Sequence, residues 1–510
     1  MNSMDLLMGI DLGSTSVKAV IYGLSGKPEA EASTKLETTN DDPAHPAWCV
    51  WKYDDIWTCV KTVISQSVKN IPPGGKLRAM AVTGFGMDGL PMDKDGRELY
   101  DLISWHCTRT LPQFEQTQKI IDHKEMFTET GMRPTLINSI YRIMWMQQNK
   151  PEIIDKTFKW LLVEDYVNYK LSGVMATDFS MGSNFSAMKQ TTHTWSERII
   201  SALNLPGHIF PTPTQSGTVL GKVLPSVCVE TGLSGDELVV LGGHDYICAA
   251  LATGIMTGGD LMDINGTWEM LVKGSTRGDT IYDENFYYVQ SHVARNLWCI
   301  SSSTVSGDMM EWLKNNYGKP NDEKVWENLM TEAENSVPGS HGCFFLPHFS
   351  GSYAPRIEPT SLGAYIGMNN QVSRSDIIRA TVEGLTYKTR ELIEAMTANT
   401  NEEIEVIKAT GGAIKNRFWM QTKADVLGVP VEIPELHEAT PLGAAMLAGV
   451  GAGLYRDEEE AVKAVYKSGA TYEPDPQKHE QHSDYYKNIF LKIQLSLKEV
   501  NTEIFDRFLK

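Results

Sequence analysis

The chain has 510 residues, of which 42% are hydrophobic and 22% are charged, and its formal net charge is −18. This apolar content is enough for a large core and excludes a mainly disordered chain. The sequence contains no run of five Lys or Arg residues, and its acidic balance argues against a nucleic-acid partner. Seven scattered cysteines without a CxxC pair favour a reducing compartment over a disulfide framework or a zinc site.

The apolar stretches predict neither secretion nor insertion into a membrane. Residues 1–9 carry no basic region and are followed closely by Asp11, which is untypical of a signal peptide. The longest uncharged stretch, 439–455, is short for a membrane span and rich in Gly and Ala, so it predicts a packed helix. We therefore expect a cytoplasmic protein with no membrane partner.

The first segment, residues 6–22, predicts two strands joined by the tight turn DLGST. Gly13 lets backbone N–H groups point at an anion, and the hydroxyls of Ser14 and Thr15 can donate to phosphate oxygens. Asp11, at the end of the first strand, is a hard oxygen donor suited to Mg²⁺. A plain β-hairpin turn is the alternative interpretation of this short motif.

Between these strands and residue 203, the pattern alternates between turn, helix and strand. Hairpin turns are predicted at 24–27 and 93–96. Apolar side chains at helical spacing predict a helix over 53–68, and 76–83 is predicted to be a strand. A mostly helical stretch covers 111–203.

Two loops in this region offer groups that suit a sugar. They are Gly86-Met87-Asp88-Gly89 and Trp105-His106-Cys107-Thr108-Arg109. The side chains of Asp88 and Arg109 can bind hydroxyl groups, and Trp105 can stack on the C–H face of a sugar. A turn aspartate, a core tryptophan and a surface arginine are the alternatives.

The motif GGHD follows the short apolar strand 238–241. A carboxylate directly after two glycines at a strand end is well placed to take a proton from a substrate hydroxyl, so Asp245 is a candidate general base. Asp245 can equally serve as the N-cap of a helix over 246–252. These two interpretations are compatible.

From residue 260 the opening pattern of strand, Gly-containing turn and strand returns, about 250 residues after its first occurrence. The turn Asn265-Gly266-Thr267 offers the same kinds of donor as the first turn. A duplicated α/β domain explains this recurrence, and two such loops can clamp a triphosphate from both sides. A plain turn remains the alternative for either loop alone.

A third loop, 410–416, has the sequence TGGAIKN between a strand at 404–410 and a helix at 418–426. Adjacent glycines allow a flat ring to approach the backbone, and glycine at a helix start exposes N–H groups to phosphate. A simple strand-to-helix turn is the alternative. Further along, 442–450 predicts a Gly/Ala helix, and 486–509 predicts an amphipathic closing helix capped by Ser483 or Asp484.

The ordered motifs DLGST, GMDG, WHCTRT, GGHD, NGTW, ATGGAIKN and EATPLGAA resemble the FGGY family of carbohydrate kinases over nearly the whole chain. The resemblance implies an α/β, actin-like ATPase fold, in which two duplicated ribonuclease-H-like domains flank a central cleft for ATP and sugar. It places an N-terminal domain, with the sugar site and catalytic base, at 1–250. A C-terminal, nucleotide-binding domain with the closing helix is expected at 251–510.

The resemblance also implies a role for the residues that match the family's motifs. Asp11 is expected to help hold Mg²⁺, and Asp245 is expected to be the catalytic base. The residues expected to contact ATP are Gly13, Ser14, Thr15, Gly266, Thr267, Gly307, Gly411, Gly412, Ala413 and Asn416. The residues expected to contact the sugar are Met87, Asp88, Trp105, His106, Arg109, Asp245 and Tyr246.

The substrate loops distinguish the branches of this family. Xylulose kinases usually have Met-His where this chain has Met87-Asp88, and Cys107 stands where glycerol and xylulose kinases usually have Asp. FGMDG, SWHCTRT and NGTWEM look most like the L-fuculokinase branch, although His106 and Thr108 replace its Lys and Pro. We therefore expect a kinase of a ketose or deoxyketose, with L-fuculose as the first choice.

The resemblance implies ATP and Mg²⁺ as cofactors, a small-molecule sugar as partner and a possible homodimer. In the expected reaction Asp245 accepts or orients the proton of the attacking hydroxyl, and loop N–H and hydroxyl donors stabilise the transferring phosphoryl group. The alternatives are a xylulose, ribulose, other pentulose or polyol kinase of the same family, or a non-catalytic sugar sensor on the same fold. A chaperone or filament protein is disfavoured, because no long insertion is evident.

Overall fold

The computed structural model of the protein describes residues 4–509. The strands of its first half are β1 (Met4–Leu12), β2 (Ser16–Gly23), β3 (Pro28–Lys35), β4 (Val50–Trp51), β5 (Gly75–Gly84), β6 (Gly89–Met92), β7 (Leu102–Ile103), β8 (Lys159–Leu162), β9 (Ala176–Asp178), β10 (Met188–Lys189), β11 (Thr194–Trp195), β12 (Thr212–Thr214), β13 (Val219–Lys222) and β14 (Leu238–His244). Its helices are α1 (Tyr53–Lys69), α2 (Leu111–Ile120), α3 (His123–Thr130), α4 (Ser139–Asn149), α5 (Pro151–Ile154), α6 (Val163–Ser172), α7 (Phe179–Ser183), α8 (Glu197–Ala202), α9 (Pro225–Thr231) and α10 (Asp245–Ala252).

The second half repeats this composition with fewer short strands. Its strands are β15 (Asp260–Asn265), β16 (Trp268–Ser275), β17 (Tyr288–Ser291), β18 (Trp298–Val305), β19 (Phe344–Leu346), β20 (Ala364–Ile366), β21 (Val406–Gly411), β22 (Val431–Pro434) and β23 (Ser468–Tyr472). Its helices are α11 (Gly307–Tyr317), α12 (Val325–Glu334), α13 (Arg374–Thr397), α14 (Arg417–Leu427), α15 (Ala439–Gly451), α16 (Glu458–Val465), α17 (Pro476–Tyr485) and α18 (Leu491–Phe508).

Each half is built on one mixed sheet, and the two sheets have the same strand order. The first runs β13-β14-β5-β1-β2-β3, and the second runs β23-β22-β21-β15-β16-β18-β17. In both, the first two strands in sequence pair antiparallel, and two later strands add in parallel on the other side. This correspondence confirms the predicted α/β fold with two duplicated domains. The division at residues 250 and 251 stays a prediction.

Two helices, α10 and α15, lie between the sheets and join them. They share one buried cluster with Leu7 of β1, Val240 of β14 and Met262 of β15. On the opposite face of the first sheet, α1 and α6 cover residues such as Met8 and Ile10. The alternation of side chains along β1 therefore gives each face its own helical layer. The predicted Gly/Ala helix at 442–450 corresponds to α15, whose small residues allow this close packing.

The C-terminal helix starts ten residues earlier than its apolar pattern predicts, so the predicted start at 486 is wrong. Asp475 caps it by accepting hydrogen bonds from the backbone N–H groups of Gln477 and Lys478, at 2.9 and 3.3 Å. Residues 476–485 are mostly polar, so hydrophobic periodicity does not reveal them. A π-helical turn at Tyr486–Phe490 connects α17 to α18. Within residues 4–509, no helix is long and apolar enough to cross a membrane.

Candidate active site

The three parallel strands of the first sheet bring their carboxyl ends, and the loops that follow, to one edge. In β1 and β5, Asp11 lies opposite Thr83 and Leu12 lies opposite Gly84. In β5 and β14, Gly84 lies opposite His244. Open α/β sheets bind ligands outside the carboxyl ends of their strands. The topology therefore places Asp11, the loop 85–88 and the start of α10 around one site.

Asp11 and Asp245 are two carboxylates of this edge that are not fully buried. Burial first, and then the negative charge of Asp245, raise the pKa of Asp11 to about 7. Asp245 is the first residue of α10, so His244, and not Asp245, occupies the N-cap position. The side chain of Asp245 keeps 33% of its surface exposed. The pair thus combines a hard oxygen donor with an accessible proton acceptor.

His244 and Tyr246 flank Asp245 and line the same edge. His244 is buried, its Nδ1 atom lies 2.8 Å from Oδ1 of Asp245, and its ring packs 4.4 Å from that of Tyr246. The hydroxyl of Tyr246 donates a hydrogen bond to Gln290, in β17 of the second half. The structure therefore places the predicted sugar residue Tyr246 at the junction of the two halves. Sequence patterns did not single out Gln290, because one buried glutamine in a strand carries no motif.

Asp88, a predicted sugar residue, is completely buried and bonded to protein groups. Its Oδ2 atom accepts hydrogen bonds from Nε1 of Trp51 at 2.7 Å and from the backbone N–H of Trp105 at 2.9 Å. Its Oδ1 atom lies 3.2 Å from Nη2 of Arg142. These contacts hold the 105–109 segment against the 86–89 loop. Direct contact between Asp88 and a sugar stays a prediction.

The buried carboxyl of Asp88 predicts a pH dependence of stability. Burial raises its pKa to about 6 from 3.8, so the folded state binds the proton more tightly than the unfolded state. Relative to Asp88→Asn, the wild-type free energy of unfolding should therefore fall by about 3 kcal/mol as pH rises from about 4 to about 6, and then level off. Urea unfolding of both proteins across this range measures it. If the free energy of unfolding depended on pH in the same way for wild type and Asp88→Asn, the raised pKa of Asp88 would be contradicted. Asp308→Asn, at an exposed position, serves as the control.

Arg109 is also enclosed, whereas Trp105 and His106 of the same motif remain accessible. Its guanidinium pairs with both carboxylate oxygens of Asp41, one at 2.9 Å, and its side chain is 0% exposed. Its Nε atom donates to Sγ of Cys107 at 3.0 Å. Trp105 and the exposed His106 stack with their ring centroids 3.5 Å apart. The geometry makes Trp105 and His106 the members of this motif that can reach a ligand, and a sugar contact of Arg109 stays a prediction.

In the second half, three predicted nucleotide loops meet at the corresponding edge. Asn265 lies opposite Gly411, where a Cβ atom would lie only 2.4 Å from the carbonyl oxygen of Asn265 and where φ is +90°. The backbone N–H of Gly307 donates to the carbonyl of Thr267 at 3.0 Å. A Cβ atom at Gly307 would lie 2.6 Å from the carbonyl oxygen of Gly266. Glycine is required at these positions because backbone approaches backbone.

A cavity of about 850 Å³ opens beside these loops. It brings together five predicted nucleotide residues, namely Gly266, Gly307, Gly412, Ala413 and Asn416. Thr267 and Gly411 adjoin this wall without lining the cavity, and residues 13–15, in the turn between β1 and β2, do not line it. The wall also includes Asn265 of the second predicted loop and residues that the motifs did not indicate: Met310, Trp326, Met330, Phe418 and Trp419. Most of these lie on helices, where apolar spacing indicates core packing and not a ligand.

The residues present fit a Mg²⁺ ion that arrives with a nucleotide. Mg²⁺ is usually held by one or two carboxylates together with phosphate oxygens and water. Asp11 supplies one such carboxylate at the cleft, and Asp245 lies close enough to influence its pKa. Among residues 4–509, no group of three or more His, Cys, Asp or Glu side chains forms a self-sufficient metal site.

Comparison with family models identifies the family of the chain. The model of the N-terminal domain of the FGGY family of carbohydrate kinases matches residues 6–252, and that of the C-terminal domain matches 265–452. The chain belongs to the FGGY family of carbohydrate kinases. This result confirms the predicted family and the predicted enzyme class, because FGGY carbohydrate kinases are phosphotransferases.

Individual relatives of this FGGY kinase carry different substrate names at equal identity. Xylulose kinase of Bacillus subtilis is 25% identical over 512 residues, covering 98% of this chain and 99% of the relative. L-fuculokinase of Escherichia coli (strain K12) is 25% identical over 474 residues, covering 91% and 96%. The crystal structure of xylulose kinase from Rhodospirillum rubrum superimposes with a TM-score of 0.89 at 23% identity, covering 97% and 99%. The relatives thus support a sugar kinase, with xylulose as well supported as L-fuculose.

Proposed function

We propose that this FGGY kinase transfers the terminal phosphoryl group of ATP to a hydroxyl of a ketose or deoxyketose, with L-fuculose as the first candidate and xylulose as the second. Two observations carry the proposal: Asp245 keeps a partly exposed carboxylate at the end of the parallel strands of the first half, and Gly-rich loops line a large cavity in the second half. The order of preference rests on the 85–89, 104–110 and 265–270 segments, which look like the L-fuculokinase branch.

Three features support an active site and not a sugar sensor. Asp245 provides an accessible carboxylate that can accept the proton of the attacking hydroxyl. The turns after β1 and β15 provide backbone N–H and hydroxyl donors for the phosphates. Asp11 provides a carboxylate that would help to hold Mg²⁺, which would supply positive charge to offset that of the phosphate oxygens.

The sugar site has a wall that suits a partly apolar ligand. Trp105 and Met87 are half-buried at this edge, and Cys107 is buried with its Sγ atom bonded to Arg109. Position 107 therefore provides no carboxylate that could accept a hydrogen bond from a sugar hydroxyl. A site with fewer buried polar groups leaves fewer of them without a hydrogen-bond partner when its substrate lacks a hydroxyl. This favours a deoxyketose.

A panel assay tests the substrate. ADP release is measured with L-fuculose, D-xylulose, D-ribulose, glycerol and a blank without sugar, each with ATP and Mg²⁺. We expect kcat/KM for L-fuculose to exceed that for D-xylulose about tenfold. A preference for D-xylulose would establish the second candidate. ADP release equal to the blank for every sugar, with thermal shifts on sugar addition, would contradict the kinase proposal and favour a sensor.

Gly412→Val tests the cavity as the nucleotide site. A Cβ atom at Gly412 meets no heavy atom within 4 Å, so the variant should fold normally while its side chain occupies space beside the cavity. We expect KM for ATP to rise about tenfold, with KM for the sugar and the Tm nearly unchanged. An unaltered KM for ATP would place the nucleotide elsewhere.

A further inference from the structure

A buried ion cluster lies directly beneath the second phosphate loop. Lys423 of α14 donates hydrogen bonds from Nζ to Oδ1 of Asn265 at 2.8 Å, to Oε1 of Glu269 at 2.7 Å and to Oδ2 of Asp263. The side chains of Lys423, Asp263 and Glu269 are all 0% exposed. The second donor to Glu269 Oε1 is the hydroxyl of Thr389, at 2.8 Å. Charges buried this completely persist only when paired.

The cluster spans the base of the turn that is predicted to receive phosphate. Asp263 and Asn265 end β15, Glu269 lies near the start of β16, and Asn265 and Glu269 face each other in the ladder. Only residues 266–268 lie between these ladder partners. Asn265 and Gly266 line the proposed nucleotide cavity. Lys423 therefore contacts the cavity wall through its hydrogen bond to Asn265, without lining the cavity itself.

The duplication of the fold shows that this arrangement differs between the two halves. Asp11 is the next-to-last residue of β1 and shares the face of Leu7, which packs between the two sheets, whereas Asp263 is third from the end of β15 and shares the face of Leu261 on the outer side of its sheet. Asp11 is half-exposed, and Lys18, its ladder partner, forms its ion pair with Glu438 at 2.7 Å instead. Asp263 is sealed in the interior against Lys423. The first half therefore presents a carboxylate at the end of β1 to the cleft, whereas the carboxylate near the end of β15 is neutralised in the interior by Lys423.

Electrostatics give this difference a consequence for ATP. One ammonium and two carboxylates give the cluster a formal charge of −1. Burial raises the pKa of Glu269 to about 7, and the charge of Lys423 opposes that rise. Without Lys423, two carboxylates would remain in a region of low dielectric, where charge acts over a longer distance than in water. Their field would oppose the binding of phosphate to the adjacent turn.

We propose that Lys423 is a positioning residue for ATP, whose ammonium group offsets the charge of Asp263 and Glu269 beneath residues 265–267 and fixes Asn265 in the cavity wall. This inference rests on the proposed function, in that it assigns the 265–267 turn to the phosphates of ATP. Lys423 acts through Asn265 and through its charge, and it does not line the cavity itself.

A charge series tests the proposal in the full-length protein. The Kd of MgATP is measured by calorimetry without sugar at about pH 8 for wild type, Lys423→Met, Glu269→Gln and the double variant of both. The formal charge of the cluster is −1, −2, 0 and −1 in this order. We expect a Kd about tenfold weaker for Lys423→Met, a Kd equal to or tighter than wild type for Glu269→Gln, and recovery towards wild type in the double variant.

Lys273→Met is the matched control. Lys273 is equally buried, pairs with Glu402 at 2.7 Å and lies near the other end of β16, so its loss removes a buried ion pair away from the cavity. Its Kd for MgATP should stay within about twofold of wild type, and KM for the sugar should stay unchanged in all variants. If Lys423→Met fails to fold, the double variant is compared with Glu269→Gln instead. The proposal then requires that the double variant bind MgATP no more than about tenfold more weakly than Glu269→Gln.

Three results would overturn the proposal: a Lys423→Met Kd no weaker than that of Lys273→Met, a Glu269→Gln variant that binds MgATP more weakly than wild type, or a double variant that binds as weakly as Lys423→Met. The last result would indicate a purely structural role. Failure of the proposed function is distinguishable, since wild type would then bind MgATP yet phosphorylate no sugar in the panel.

Discussion

Replacement of Asp245 by Asn is expected to lower kcat about 10³-fold, with the Kd for MgATP within about threefold of wild type. Asparagine has the shape of aspartate but cannot accept the hydroxyl proton. Asp245 begins α10 at the end of the parallel strands, and its side chain keeps a third of its surface exposed. The cavity of the second half does not include it, so nucleotide binding should be preserved.

Two measurements separate this loss from a general disturbance. Single-turnover kinetics with saturating sugar report the chemical step, and calorimetry reports the binding of MgATP. Asp308→Asn, at an exposed position of α11, is the matched control and should keep wild-type kcat. If Asp245→Asn retained more than about a tenth of wild-type kcat, another group would have to be the base.

Gly9→Ala should destabilise the fold more than any other alanine substitution proposed for this protein. A Cβ atom at Gly9 would lie 1.7 Å from the carbonyl oxygen of Pro441, on the first turn of α15. That atom belongs to backbone, so the clash can be relieved only if the helix moves away from β1. We expect the free energy of unfolding to fall by about 3 kcal/mol or more, and Tm to fall by about 5 °C or more.

Gly23→Ala provides the control for this prediction. It lies at the end of β2, where the nearest atoms to a new Cβ are 4.0 Å away, so its Tm should change by about 1 °C or less. Thermal unfolding followed by circular dichroism measures both variants. Equal Tm values for Gly9→Ala and wild type would show that α15 is free to shift, contrary to its burial between the sheets.

The strand-turn-strand motifs were predicted well because they are local. Asp11–Thr15 and Asn265–Thr267 combine apolar strands with residues that turns require, and neighbouring residues decide both signals. The helices at 53–68 and 418–426 agree with α1 and α14 within two residues. The C-terminal helix was missed over 476–485, because its polar sequence carries a cap but no apolar stripe.

The two predicted sugar loops show what local sequence does not predict. Asp88 and Arg109 are residue types that bind hydroxyls, yet Trp51, Arg142 and Asp41 occupy their polar atoms. Those partners lie dozens of residues away in the sequence. Nothing in the motifs GMDG or WHCTRT indicates that such groups are already paired, since burial depends on what the rest of the chain packs against them.

The sequence by itself determined the family, the duplicated architecture and the identity of the loops that end the central strands, because strand patterns and turn chemistry are local and motif order is preserved along the chain. Only the tertiary structure decided which polar groups face the cleft and which are sealed. It also showed that Met310 and Trp326 of α11 and α12 complete the cavity beside the predicted nucleotide loops and that Lys423 pairs with Asp263. The physical reason is that exposure, pairing and charge compensation arise between residues far apart in sequence, when folding brings the two sheets and their helices together.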